Sequence, residues 1–377
     1  MQEFDVIVLG GGIFGVYAAL YLAGRNQSVC LIEKEPSLFS KASAVNQARL
    51  HGGYHYPRSM ATAQMAHEYQ ARFMTDHKPF INNQYESYYG IDRSASLTSS
   101  SQFEQFCEFI PLPFRKVTNH SLFNMTQLEA LYLTEEYSFD TQQMAAFYIE
   151  KLKANKHISL QVGTQVMHAE KNQENWLLEG IIGGSTDKIK LKAPTVINAT
   201  YSGINSINRL FGMQELDLLY VISEIAFVHS SALANTGLTI IDGPFASYLP
   251  FGHSGTLSLS SVRYTHHKIS YSSLPTFDCQ EVNPSCKPDF ISNCNICTAR
   301  PASDYIKMIE QVKKYLRQDI SLDYLHSSFA IKTNLKSSVP DASRPTEIIK
   351  LHTSPDFFYL FSGKINSIYE IEKVVDR

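Results

Sequence analysis

The feature that most constrains this chain is a glycine pattern set between an apolar run and a helix-forming stretch close to residue 1. Residues 4–9, Phe-Asp-Val-Ile-Val-Leu, are almost wholly apolar, as in a strand covered on both faces of a parallel sheet. Gly10, Gly12 and Gly15 then spell G-x-G-x-x-G, and residues 13–22 continue as an apolar, alanine-bearing segment suited to a packed helix. Residues 28–33 supply a second strand that ends in an acid, Glu33. Each glycine has a mechanical reason. Gly10 permits the tight turn, Gly12 lets a pyrophosphate approach the backbone, and Gly15 lets helix and sheet pack closely. N–H groups at the helix start face the phosphates, while Glu33 can accept from a ribose hydroxyl. The glycines alone are weak evidence. Here they follow a strand, open a helix and have their acid roughly 20 residues on, the context of a dinucleotide-binding unit.

Length leaves room for about two domains, and 44% hydrophobic content with 12% aromatics can fill a sizeable core. A formal charge of −3 gives no electrostatic case for a nucleic-acid partner. No apolar run approaches the roughly 20 residues of a membrane span. The first strand begins too early to leave room for a secretory signal. Six cysteines in 377 residues do not read as a secreted disulfide framework. These features point to a soluble, cytoplasmic protein; they leave the oligomeric state open.

Along the chain, the stretch Ser43-Ala-Val-Asn-Gln-Ala-Arg-Leu-His-Gly-Gly-Tyr-His-Tyr-Pro57 is too polar for a core and too dense in histidine, arginine and tyrosine for an idle loop. Helices are expected at residues 59–77, 99–110, 125–132, 141–153, 303–317 and 365–375. Strands are expected at 85–97, at 158–168, 175–182 and 188–191 separated by turns, and at 195–203. Longer, aromatic-rich strands follow at 220–229, 238–242, 246–251 and 256–264, with a last one at 357–364. This order implies an α/β protein with a Rossmann-like domain from residues 1–79, 151–205 and 340–377. Residues 80–150 and 206–339 then form a second, mainly antiparallel sheet that serves as substrate or cap domain.

Together these segments resemble the FAD-dependent oxidoreductases of the D-amino-acid oxidase superfamily, which includes glycine oxidase, glycerol-3-phosphate dehydrogenase and L-2-hydroxyglutarate dehydrogenase. His51-Gly-Gly-Tyr-His-Tyr56 is similar to the H-G-G-x-R-Y of glycerol-3-phosphate dehydrogenases, and with Asn46 to the corresponding stretch of hydroxyglutarate dehydrogenases. In such proteins this segment passes under the flavin. Gln165-Val166 stands where the family holds adenine, and Val196–Gly203 resembles the family's V-V-x-A-A-G-x-W strand end. Tyr248-Leu-Pro250 resembles the Y-x-x-P of the substrate sheet, and Ser343-Arg-Pro-Thr346 the segment whose arginine clamps a substrate carboxylate. Two departures stand out: the family's C-terminal glycine-rich stretch is reduced to Ser362-Gly-Lys-Ile-Asn366, and the strand at 258–264 lacks an expected glycine.

The resemblance implies FAD as cofactor. Its contacts would come from Gly10, Gly12, Ile13, Phe14, Gly15, Glu33 and Lys34, then Ser43, Asn46, Gln47, Arg49 and Leu50, with Val166, Ala199, Thr200 and Gly203 further on. Gly363, Lys364, Ile365 and Asn366 would complete the set, with the final helix aiming its positive end at the flavin. Arg344 is the expected clamp for a small-molecule carboxylate, because a guanidinium binds a carboxylate bidentately; a salt bridge with Asp341 is the alternative. Tyr248 could bond the same carboxylate. His51 and His55 are candidates for a base or a substrate contact, or for contacts without chemistry. The implied reaction is hydride removal from the α-carbon of an amino acid or amine. A 2-hydroxy acid or polyol phosphate is the alternative substrate, and a flavin-fold binding protein without turnover the rival class. Cys279, Cys286, Cys294 and Cys297 read first as free thiols in an exposed loop, with structural zinc or a redox pair as alternatives. His266-His267 reads as surface polarity. No metal site is assigned.

Overall fold

The computed structural model describes residues 1–183, 187–340 and 343–375. Part of the turn expected at residues 183–187, and Asp341, lie outside the described residues.

A six-stranded sheet forms the first half of the architecture. Its order is Ile158–Gln161, Val29–Ile32, Val6–Leu9, Thr195–Asn198, Asp356–Phe361 and Glu347–His352. The first five run parallel and the last is antiparallel. Alternation explains why Val6–Leu9 is apolar at every position. Val6 and Val8 face the helices Ile13–Ala23 and Thr141–Ala154, while Ile7 and Leu9 face Trp176, Leu178 and Leu191 of a four-stranded sheet on the other side. That smaller sheet is the expected meander, with Gln2–Glu3 added parallel at its edge.

The second half is a long, mainly antiparallel sheet. Leu218–His229, Leu257–Ser261, Ala246–Pro250 and Thr236–Ile241 lie side by side in that order, and Glu86–Asp92 joins through one parallel pair. Helix Tyr305–Lys313 covers one face with Met308 and Val312. The other face turns toward the six-stranded sheet.

Several expectations are corrected. The helix expected at 125–132 is a short 3-10 turn, Met125–Gln127, followed by strand Leu128–Thr134. Leu, Glu and Ala favour helix, but pairing with Glu86–Asp92 outweighs that weak preference. The stretch 158–168 is two strands, parted by a turn at Gly163, where φ is +63°. The strand at 256–264 stops at Ser261 and turns into a helical turn, Val262–Thr265. Among the strands not anticipated are Asp323–Leu335, which pairs along almost the whole of Leu218–His229, and Glu347–His352.

The helix Thr141–Ala154 packs against the helix Ile13–Ala23 and the strand Ile158–Gln161. Met144, Tyr148 and Leu152, four residues apart, bury one stripe. Asp140 caps it, accepting from Gln142 N at 3.1 Å and Gln143 N at 2.9 Å. Asp140→Ala is expected to cost about 1 kcal/mol of stability, read as a lower urea midpoint at unchanged m-value.

Candidate active site

The glycine motif builds one end of a long cleft. Gly10 has φ +108°, and a Cβ there would sit 2.6 Å from the Ala199 carbonyl oxygen. A Cβ on Gly15 would overlap the Gly10 carbonyl oxygen. Gly12 differs: its φ of −78° suits any residue, and an added Cβ would meet only Ser43 Oγ, at 3.1 Å. The space before Gly12 is therefore open, and the helix behind it begins there. Ser43 Oγ accepts from Ile13 N at 3.0 Å, and Glu33 is fixed by accepting from Gly11 N at 2.6 Å and Glu35 N at 2.8 Å.

Two cavities meet at Gly12, Ser43 and Ala199. The first runs past Gly10, Glu33, Lys34, Val166, Thr200 and Gly203. Its outer side is closed by Asp289, Phe290 and Ile291. Lys34 Nζ donates to the Ile291 carbonyl at 2.5 Å and Lys41 Nζ at 3.1 Å. Burial, and Lys41 beside it, push the Lys34 amine down to about 7.

The second cavity lies between the two halves of the fold. Ile13, Phe14, Asn46, Gln47 and Arg49 line it on one side, His51 and His55 below, and Arg344, Gly363, Lys364 and Ile365 on another. The 46–51 segment is held down on the large sheet. Gln47 Nε2 donates to Ser247 Oγ at 2.9 Å, and Arg49 Nη1 donates to Thr239 Oγ1 at 2.7 Å and to Glu136 Oε2 at 2.6 Å. Glu136 also accepts from the Tyr89 hydroxyl and, at 3.2 Å, from Gly52 N. Its side chain is 1% exposed.

Four of the anticipated residues do not line either cavity. Tyr248 is the clearest correction. Ser247 points at Gln47, so strand alternation turns Tyr248 to the far face, where it packs with Leu238, Leu259 and Met308 and its hydroxyl lies 3.2 Å from Thr236 Oγ1. Leu50 and Gly15 are packed in the core beside the cleft. Asn366 acts as a fastener, donating through Nδ2 to the His51 carbonyl at 3.1 Å and the Ala66 carbonyl at 2.7 Å.

Arg344 faces the second cavity, where it forms no ion pair among the described residues; Nη1 donates to the Ser343 carbonyl at 2.6 Å. A Cβ on Gly363 would strike the Arg344 and Pro345 carbonyl oxygens, so this glycine lets the two segments cross in contact. The crossing sets Arg344 beside Lys364. Asp242 is the one acid among the described residues of this wall, and it is occupied by Arg58 Nε at 2.6 Å and the Thr98 hydroxyl. Arg344 and Lys332 thus leave the described wall net positive. Burial first, then neighbouring cations, hold His51, His55 and Lys364 well below their usual values. Burial and Arg344 push Lys332 down to about 8.

Lys332, His266 and Glu136 are participants the sequence did not reveal. Lys332 lies on the unanticipated strand Asp323–Leu335, where a lone lysine among Phe329, Ala330, Ile331 and Thr333 was the available signal. His266 is exposed at the edge of the cavity, whereas His267 Nε2 lies 2.7 Å from buried Glu224 Oε2 and is not surface polarity. The cysteine loop is not simply exposed: Cys286 is buried, and all four thiols border one small space beneath Ile222 and Ile331. Among the described residues no group of three or more His, Cys, Asp or Glu is arranged to hold a metal ion.

An elongated cleft with an open glycine at its middle and a tethered carboxylate at one end fits FAD. At the other end His51 Nδ1, His55 Nδ1 and the Tyr56 hydroxyl are buried without hydrogen-bond partners. Among solved structures, the fold is similar to glycine oxidase from Geobacillus kaustophilus. Identity is 15%, coverage 100% of this chain and 94% of that one, and the TM-score 0.71. It is also similar to an FAD-bound L-alpha-glycerophosphate oxidase from Mycoplasma pneumoniae, with 13% identity, the same coverage and a TM-score of 0.72. Among curated sequences, the FAD-dependent monooxygenase FPY4 of Fusarium mangiferae is 23% identical over 96% of this chain and 87% of its own length. The profile described as "FAD dependent oxidoreductase" (DAO) matches residues 5–250, well over half of the sequence, and the chain belongs to that family of FAD-dependent enzymes.

Proposed function

We propose that this enzyme removes a hydride from the α-carbon of a small amino acid or amine that carries a carboxylate. The observation that carries the reading is the second cavity, where Arg344 and Lys332 face a common space whose one acid among the described residues is already engaged. Such a space takes an anion, and a guanidinium gives a planar carboxylate two parallel hydrogen bonds. Bound FAD supplies the hydride acceptor. Gly12, Ser43 and the start of helix Ile13–Ala23 would hold its pyrophosphate, Glu33 the ribose, and the Gly363–Ile365 segment the flavin end. The six-stranded sheet draws every strand from residues 1–79, 151–205 and 340–377, which supports assigning those segments to the cofactor domain. With the cofactor in place, the remaining chain has three tasks: clamp the carboxylate, keep water from the α-carbon, and take the proton that an ammonium substrate must lose.

A polyol phosphate or 2-hydroxy acid is the second reading, since the same cations suit a phosphate, and one neighbour in structure is a glycerophosphate oxidase. Anaerobic titration of the purified holoenzyme with amino acids, hydroxy acids and polyol phosphates separates the two. Bleaching of the flavin by one or more amino acids is the expected result. Bleaching by hydroxy acids or phosphates alone would replace the proposal with its rival.

A further inference from the structure

Behind the cationic wall three groups stand in a row. Lys364 Nζ lies 3.2 Å from His51 Nε2, and His51 Nδ1 lies 3.7 Å from Glu136 Oε1. Lys364 and His51 border the cavity, whereas Glu136 is sealed beneath them. Glu136 Oε2 is engaged by Arg49 and Tyr89, which leaves Oε1, shared with Gly52 N, facing the imidazole.

Among the described residues no hydrogen bond reaches His51 Nδ1, which lies 3.7 Å from Glu136 Oε1, so electrostatics decides the tautomer. A bare Nδ1 lone pair turned toward a carboxylate oxygen is repulsive, so the proton belongs on Nδ1, and Nε2 must then accept. The group available to donate to Nε2 is Lys364. A neutral lysine amine has two N–H bonds and one lone pair. With one N–H given to His51, the lone pair is free to turn into the cavity. In the opposite tautomer Nε2–H would occupy that lone pair.

We propose that Lys364 is the proton acceptor of the reaction, and that buried Glu136 is a positioning residue that acts on it through His51 by fixing the imidazole tautomer. The proposal rests on the amine-substrate reading above. In the step it assigns, an N–H bond of the substrate ammonium breaks, its proton forms a new N–H bond on Lys364 Nζ, and the substrate nitrogen keeps the electron pair. The substrate becomes a neutral amine and the lysine an ammonium. The hydride then leaves the α-carbon as a separate event, and Lys364 returns its proton to cavity water after product departs.

The surroundings favour a neutral lysine. Arg344 approaches from the crossing segment, Lys332 from the long strand, and Arg49 and His51 from the segment beneath. His55 and the Tyr56 ring, 4.8 Å from Nζ, complete the enclosure, and Glu136 is the opposing charge. Burial is the largest influence, and Arg344, Lys332 and Arg49 each add to it, so the ammonium is held well below the usual lysine range.

The test uses the whole protein, with and without FAD. Competitive labelling with acetic anhydride across pH, read by peptide mass spectrometry, reports when each lysine becomes a nucleophilic amine. Lys364 is expected to gain reactivity at clearly lower pH than exposed Lys153 in the same digest. Labelling in step with Lys153 would overturn the proposal and leave Lys364 as a fixed cation for an anion. Nitrogen NMR of His51 is expected to show the Nδ1–H form, lost in Glu136→Gln; an Nε2–H form in the parent would overturn the part given to Glu136. Lys364→Arg places a permanent charge there, because a guanidinium cannot deprotonate near neutrality. It is expected to retain FAD and to lower kcat about a hundredfold at pH 7, with KM changed far less; undiminished kcat would overturn the proposal. Labelling and NMR need no substrate. If both come out as expected while no amine bleaches the flavin, the substrate reading fails and the neutral lysine stands.

Discussion

Gly12→Val is expected to yield a folded protein that purifies without flavin. The backbone at Gly12, φ −78° and ψ 175°, is open to valine, and its first new atom meets only a serine hydroxyl. The rest of the side chain would stand where the two cavities join, the space assigned to the pyrophosphate. Folding should therefore survive while FAD binding falls below detection. Gly15→Val is the contrast, because its Cβ would overlap a backbone carbonyl that has nowhere to go. Flavin absorbance and thermal unfolding of both variants check the pair. A yellow Gly12→Val protein at full occupancy would remove the cofactor placement.

The second large effect concerns Arg344. Replacing it with glutamine removes the guanidinium from a wall where the Arg344 backbone carbonyl lies against Gly363 and Lys364 is near. If it clamps the substrate carboxylate, binding should weaken by roughly 2–5 kcal/mol, or about 30- to 5,000-fold. Arg344→Lys should fall between, since it keeps the charge and loses the planar fork. Flavin content should stay as in the parent. Substrate affinity from anaerobic titration checks the first point, and the ratio of flavin to protein absorbance the second. Equal affinities, or loss of flavin in place of affinity, would make Arg344 structural and move the clamp to Lys332.

The legible parts of the molecule were the local ones. Gly10, Gly12, Gly15 and Glu33 lie within one strand–helix–strand unit, so their spacing alone carries their geometry. The polar run from Ser43 to Pro57 was marked by composition, and it does line the second cavity. What sequence could not convey was set by distant pairing. Tyr248 and Ser247 look equally eligible in a line of text; only the strand's contact with Gln47 decides which of them turns inward. Lys332 was hidden because Asp323–Leu335 opens with charged and polar residues, and its strand character comes from the partner Leu218–His229. Glu136 sits in a Glu135-Glu136 pair that reads as solvated, yet one member is buried and matched by an arginine 87 positions away.

The six-stranded sheet has a further consequence, in time. Thr195–Asn198 is flanked by Val6–Leu9 on one edge and by Asp356–Phe361 on the other. Chains grow at ~5–20 residues per second, so the second neighbour arrives roughly 8–30 s after Asn198 is made. Through that interval the strand Thr-Val-Ile-Asn shows an open edge, the condition under which strands find wrong partners. Arg344, Gly363 and Lys364 arrive with the same late segment, so nothing upstream of it can bring the cleft's last wall. Cofactor capture would then wait for that segment, and FAD, by binding the completed cleft, would draw chains out of the vulnerable state.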